Sequence, residues 1–334
     1  MVAPAMSELQ ELIPLPDVWT SMAAVERRLL EVSTSDHDHL TEIAQHLLKA
    51  GGKRYRPLLA ILAGQFGTVS DHRPIEAGVA VELIHVGSLY HDDVIDESDT
   101  RRGAASVNAN WTNTVAILAG DFLMARASET AATHLSLDAV RLLAATYAEL
   151  VEGQTRELAL DFDVDHGLKE YEKVIEQKTA SLIRTSARLG AMAADAEPDV
   201  IEAISTWAHE VGMVFQIADD VLDLVSTTEA IGKPAGSDIA EGKFTMPVLL
   251  GLDGPDGPRI RDLLTQDRPY SQETIDEVIQ LVRKGGFVEQ ALDDAHDRLD
   301  RAGKAVASLP DVPAKAVLGV IGEYLVTRVS GVRR

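Results

Sequence analysis

GVAVELIHVGSLYHDDVIDE, residues 78–97, is mostly apolar yet carries several polar groups whose spacing decides how the chain folds. At 100° per residue, His85, Ser88, Asp92 and Asp96 fall within an arc of about 80°, so one narrow polar stripe runs along an otherwise buried helix. Asp92 and Asp96 stand one turn apart with Asp93 beside them. Like charges at this spacing disfavour the helix, and burying them costs several kcal/mol unless a cation compensates. A divalent metal is the natural candidate.

Outward from this stretch the same construction recurs. VGMVFQIADDVLDLV, residues 211–225, places Gln216, Asp219, Asp220 and Asp223 within an arc of about 100° while nearly every other position is apolar. A single D-D-x-x-D is more often a solvated face or a helix end. Two copies, each on a strongly apolar helix, leave that explanation without an account of the apolar remainder. Hard carboxylate oxygens, no thiols and an incomplete ligand set favour magnesium, which keeps waters and shares substrate phosphates.

Helical periodicity extends over Val18–Val32, Ile75–Ile95, Val115–Ala132, Val174–Met192 and Val200–Val225, and alternating strand-like runs are scarce. Helix ends or interhelical loops are expected at Gly51-Gly52, Arg73-Pro74, Glu197-Pro198, Lys233-Pro234 and Gly251 to Pro258. With only 4% aromatic residues, abundant alanine and leucine point to long packed helices. The expected architecture is all-α: a single domain over residues 1–334, one large helical bundle around a central cavity, with an irregular segment at 1–17.

Composition excludes several functions. A net charge of −22, from 31 basic and 53 acidic residues, would repel nucleic acid. The chain has no cysteine, which removes disulfides, thiolate metal sites and thiol nucleophiles and fits a reducing cytosol. No run approaches the roughly 18 apolar residues of a transmembrane segment, so the sequence reads as cytoplasmic.

In so acidic a chain the clustered cations stand out. GGKRYRP at 51–57 gathers three of them after a glycine pair, where a loop meets a helix start and backbone amides can cradle phosphate. Arg101-Arg102-Gly103 follows the first acidic helix closely enough to point back at whatever Asp92 and Asp96 bind. Lys178-Thr179, Lys233 and Lys243 are further candidates. Asp36-His37-Asp38-His39 has a metal site's composition, but it sits at an expected helix start and reads as a solvated cluster, as does the expected exposed loop Asp161 to His166.

Taken together these residues resemble the trans-isoprenyl diphosphate synthase (polyprenyl synthetase) family, and the medium- and long-chain polyprenyl diphosphate synthases within it. Six blocks carry the likeness in order: GGKRYRP at 51–57, HDDVIDESDTRRG at 91–103, LAGDFLMARA at 118–127, Lys178-Thr179, FQIADDVLD at 215–223, and GKPAGSDIAEGKFTMP at 232–247. The resemblance implies an isoprenoid-synthase fold and a magnesium-dependent condensation of isopentenyl diphosphate with an allylic diphosphate. It implies that Asp92, Asp93 and Asp96, with Asp219, Asp220 and Asp223 from a facing helix, hold magnesium ions on the allylic diphosphate. It assigns Lys53, Arg56, His85 and Arg102 to isopentenyl diphosphate, and Arg101, Lys178, Thr179, Gln216, Lys233 and Lys243 to the allylic substrate, with Lys178 and Lys233 also assisting departure of diphosphate. Homodimerisation is implied by the resemblance alone.

No side chain is an obvious general base. His85 lies on the polar stripe and is expected to bind anion, whereas His91, about 100° from Asp92, reads as a structural histidine. The growing chain is expected to run back from Asp92 along Ser88, Gly87, Ile84 and Val81, none of them aromatic, while Tyr90 points about 160° away. This predicts a medium-to-long product over a farnesyl or geranylgeranyl one. A terpene cyclase is the nearest enzymatic rival, but the second D-D-x-x-D and the Lys53–Arg56 cations argue against it. A non-catalytic synthase subunit is the other alternative, and the intact aspartates argue against that.

Overall fold

The computed structural model describes residues 9–68, 72–225 and 235–332. Helices dominate, as expected; among the described residues the one sheet is a two-residue hairpin pairing Thr100–Arg101 with Ala104–Ala105. The chain gathers into two units, the first within residues 1–147, 182–205 and 308–317, the second within 148–181, 206–307 and 318–334. No helix among the described residues is long and apolar enough to cross a membrane.

The first unit begins earlier than the sequence suggests. Residues 9–12 are already helical and helix α1 spans Pro16–Val32, so the described part of the expected irregular segment, residues 9–17, is partly helical. Leu9 and Ile13 are buried, Trp19 Nε1 donates to the Ile13 carbonyl at 2.8 Å, and Pro16 opens the helix where a missing N–H costs nothing. After the short helices α2 (Asp38–Ala44) and α3 (His46–Lys49), helix α4 runs over Tyr55–Gly64. Helix α5, Arg73–Ile95, carries the first acidic motif and buries most of its length. Tyr90 on it is fully buried, its hydroxyl donating to the Ile43 carbonyl at 2.8 Å, so it leaves the polar stripe clear.

Beyond the hairpin come α6 (Val107–Asn110) and α7 (Asn113–His134). Two glycines let α5 and α7 approach closely. A Cβ on Gly87 would lie 3.1 Å from the Gly120 carbonyl oxygen, and one on Gly120 would lie 2.3 Å from His91 Nε2. Glycine inside a helix costs about 1 kcal/mol against alanine, and close packing offsets it here. Gly87 is therefore a position where α5 packs closely on α7. His91 is structural as read, its Nε2 donating to the Ile117 carbonyl at 3.2 Å.

Helix α8 spans Leu137–Leu160 and leads to α9, Leu168–Ile175. The single helix expected over Val174–Met192 is instead interrupted by a π-helical turn, Glu176–Ala180, before α10 resumes over Ser181–Ala193. Such insertions recur at functional sites because they re-aim side chains. This one carries Lys178 and Thr179. Helix α11, Pro198–Val225, bears the second acidic motif.

Helices α12 (Ser237–Glu241), α13 (Met246–Leu252), α14 (Gly257–Leu264), α15 (Gln272–Lys284), α16 (Phe287–Val306) and α17 (Pro313–Val332) follow. The loop expected from Gly251 to Pro258 is shorter than that, because Gly251 packs inside α13 and Pro258 fits the first turn of α14. The expected break at Lys233-Pro234 lies outside the described residues.

Candidate functional site

In the first unit, the stripe read from the sequence is real. His85, Ser88 and Asp92 are half-buried and Asp96 is exposed, on a helix whose other positions between 79 and 90 are nearly all buried. Ser88 donates to the His85 carbonyl at 2.9 Å, while Val81, Ile84 and Gly87 are buried. Asp93 behaves differently from its neighbours. It is 0% exposed, and Nε and Nη2 of Arg101 converge on its Oδ1 at 2.7 and 2.6 Å, leaving Oδ2 buried without a hydrogen-bond partner. Burial raises its carboxyl above the usual range, against the pull of Arg101. The hairpin after α5 thus points Arg101 back at the motif.

The cationic cluster forms around the glycine pair. Gly51, Gly52 and Arg54 all have positive φ, of 89°, 151° and 47°. A Cβ on Gly52 would lie 3.0 Å from the Arg102 guanidinium, which donates to the Gly51 carbonyl at 2.6 Å and to the Leu47 carbonyl at 3.2 Å. Gly52 therefore admits Arg102. Arg56 is pushed down to about 10, chiefly by burial and further by Arg102, and is still charged at neutral pH; its Nε is buried with no acceptor. His85 falls well below the ordinary histidine value because it is desolvated and lies near Arg56, Arg102, Arg54 and Arg101. The structure thus brings Arg56, His85 and Arg102 together as a positive site with a neutral imidazole, while Lys53 is exposed on the loop beside them.

In the second unit, Asp219 is exposed and Asp223 half-buried, while Asp220 between them is 3% exposed. Tyr171 donates its hydroxyl to Asp220 Oδ2 at 2.5 Å, and Gln216 donates Nε2 to Oδ1 at 2.8 Å. Thr179 in turn donates to Gln216 Oε1 at 2.7 Å, which ties the π turn to the motif. Ser237 donates to Asp223 Oδ1 at 2.6 Å. Burial pushes Asp220 up to about 7, despite those hydrogen bonds and with help from the charges of Asp219 and Asp223.

A cavity of about 210 Å³ opens beside this network, with Lys178, Thr179, Gln216, Asp220, Asp238 and Lys243 in its wall. Lys178 pairs with Glu157 and Lys243 with Glu241 at 2.9 Å. The sequence missed several of its groups. Asp238 lies in a block already singled out yet received no role; burial and the charge of Asp220 raise its carboxyl. Asp161 and His166, expected on an exposed loop, are half-buried and line the cavity, His166 with a buried Nδ1 that has no partner. Tyr171 also had a sequence signal, as a large residue on the apolar face of amphipathic α9. Lys233 lies outside the described residues.

Among the described residues, no three carboxylate or imidazole groups converge to cage a cation. Accessible carboxylates one turn apart, without thiolates or ligand-grade histidines, fit a hard cation that completes its shell with water and phosphate oxygens. The Asp36–His39 cluster forms no such site either: His37 caps α2, its Nδ1 accepting from the Leu40 N–H at 3.4 Å.

Residues 37–282 match the family model described as polyprenyl synthetase. The chain is 40% identical over 315 residues to a nonaprenyl diphosphate synthase of Mycobacterium tuberculosis, covering 93% of each. It resembles the crystal structure of a Caulobacter crescentus polyprenyl synthase complexed with calcium and isoprenyl diphosphate, at TM-score 0.88, 32% identity and coverage of 97% and 98% of this and that chain. A geranylgeranyl pyrophosphate synthase of Corynebacterium glutamicum, also solved with calcium and isoprenyl diphosphate, matches at TM-score 0.83 and 40% identity, covering 94% and 96%.

Proposed function

From the premise that the chain belongs to the polyprenyl synthetase family of prenyltransferases, we propose that it is a magnesium-dependent enzyme condensing isopentenyl diphosphate with an allylic diphosphate and releasing diphosphate. The observation that carries this is the shared build of its two D-D-x-x-D helices: first and last carboxylates accessible, the middle one buried and anchored by polar side chains. Asp92 and Asp96 in one motif, and Asp219 and Asp223 in the other, would hold magnesium ions, whose chemistry is to neutralise charge on the departing diphosphate. Asp93 and Asp220 set the pitch and orientation of each motif from beneath.

Lys53, Arg56, His85 and Arg102 bind isopentenyl diphosphate; three of them are cations, and His85 donates as a neutral ring. Arg101, Lys178, Thr179, Gln216, Lys233 and Lys243 bind the allylic diphosphate, and Lys178 and Lys233 stabilise it as it leaves. Apolar walls exclude water from the allylic cation until the isopentenyl double bond attacks. No side chain is required as general base; released diphosphate takes the proton.

The product is a medium-to-long all-trans chain. Ser88 and the diversion of Tyr90 to the Ile43 carbonyl favour an unblocked path, and a relative named for nonaprenyl diphosphate agrees. A geranylgeranyl product is the second reading, supported by the Corynebacterium glutamicum likeness. The protein would work as a cytoplasmic homodimer, for which Ile117 and Leu118, exposed on α7, offer an apolar face. Incubation with magnesium, labelled isopentenyl diphosphate and each of several allylic primers, followed by sizing of products, tests the reaction and the product length. Turnover should vanish with chelator; absence of any elongated product with every primer would overturn the proposal.

A further inference from the structure

Glu82 is an acid placed where an anion is to bind. It lies on α5 one turn before His85, its side chain 1% exposed, among arginines that form the positive site. Its Oε1 accepts from Arg54 Nη1 at 2.9 Å and stands 3.7 Å from Arg102 Nη2. It is also the main charge holding Arg56 and Arg102 cationic against burial. Arg54, itself buried, spends its other donors on Glu26 of α1 at 2.6 and 3.2 Å and on the Leu48 carbonyl at 2.7 Å.

Electrostatics alone makes Glu82 a liability, since a buried negative charge near a diphosphate weakens its binding. The opposing consideration is geometric. Arginines gathered without a counter-charge repel one another and turn outward, and a strut fixed at both ends sets where they point. Arg54 is such a strut, with four N–H bonds to α1, α5 and the Leu48 carbonyl.

We propose that Glu82, braced by Arg54 and Glu26, is a positioning residue that aims Arg102 at the diphosphate of isopentenyl diphosphate. This rests on the assignment of that substrate to the cluster. It predicts a split that general loss of structure does not produce, and opposite in sign to simple charge removal.

The test is steady-state kinetics of Glu82→Gln, with both substrates varied and folding checked by thermal melting. KM for isopentenyl diphosphate should rise about tenfold, the scale of one misaligned charge-assisted contact, with kcat and KM for the allylic primer within about twofold; Glu82→Asp should recover part of the loss. A KM for isopentenyl diphosphate that falls or stays put overturns the proposal, and so does a parallel loss for both substrates. Should Glu82→Gln fail to fold, Glu26→Gln decides instead. Glu26 is 41% exposed, and its loss should raise the same KM about threefold; no rise refutes the bracing. Wild-type turnover is read separately: if no primer supports consumption of isopentenyl diphosphate, the substrate assignment fails and this inference with it.

Discussion

The two acidic helices end in the same five-residue motif, but their buried aspartates are anchored by different chemistry. Asp93 at the end of α5 is gripped by a cation, Arg101, eight residues downstream. Asp220 on α11 is held by two neutral groups, Tyr171 and Gln216, and rises to about 7. One buried aspartate thus meets a side-chain counter-charge; the other is held by neutral donors. Identical sequence patterns can therefore be anchored by different chemistry, because the anchor comes from elsewhere in the fold.

The largest expected effects treat the motifs as equals. Asp92→Ala and Asp219→Ala should each lower kcat by about 10³-fold, the scale of losing a prearranged electrostatic contact to the transition state. Turnover assays at saturating magnesium check this, and unimpaired activity in either variant would contradict the roles assigned to both.

Stability separates the motifs. Arg101→Gln leaves Asp93 buried without its cation and should cost about 3 kcal/mol, whereas Tyr171→Phe removes a hydroxyl from a neutral-donor network and should cost about 1–2 kcal/mol. Urea denaturation of the metal-free protein measures both. A larger loss for Tyr171→Phe would reverse the comparison.

A further effect is one of pH. Because Asp220 is raised in the folded protein, the folded state keeps its proton longer than the unfolded one. Its contribution to stability is therefore fully present below the ordinary aspartate value and is lost as pH rises toward about 7. The metal-free protein should melt a few degrees lower at pH 8 than at pH 5, with a shallower slope in Asp220→Asn. Magnesium should restore more stability at pH 8. An unchanged slope in Asp220→Asn would assign the pH dependence to other acids, such as Asp238.

Much of this was legible in the sequence. The polar stripes on α5 and α11 follow from helical geometry alone, since a 3.6-residue period fixes which side chains share a face. Tyr90 was correctly turned away and His91 correctly read as structural for the same reason. Periodicity could not show Gly87 as a point where α7 packs against α5, because a missing side chain leaves room for groove and packing alike. The Asp161–His166 segment looked like solvent-exposed loop by composition, yet long-range packing makes it a cavity wall.

By itself, the sequence determined that the chain is helical, that two of its helices present carboxylates in a row, and which cations are available to meet phosphate. Tertiary structure decided which aspartate of each row faces solvent, which is buried, and what anchors it. The division has a physical cause: the face of a helix is set by neighbours three and four residues away, whereas burial and protonation are set by partners such as Arg101 and Tyr171, whose approach no local pattern encodes.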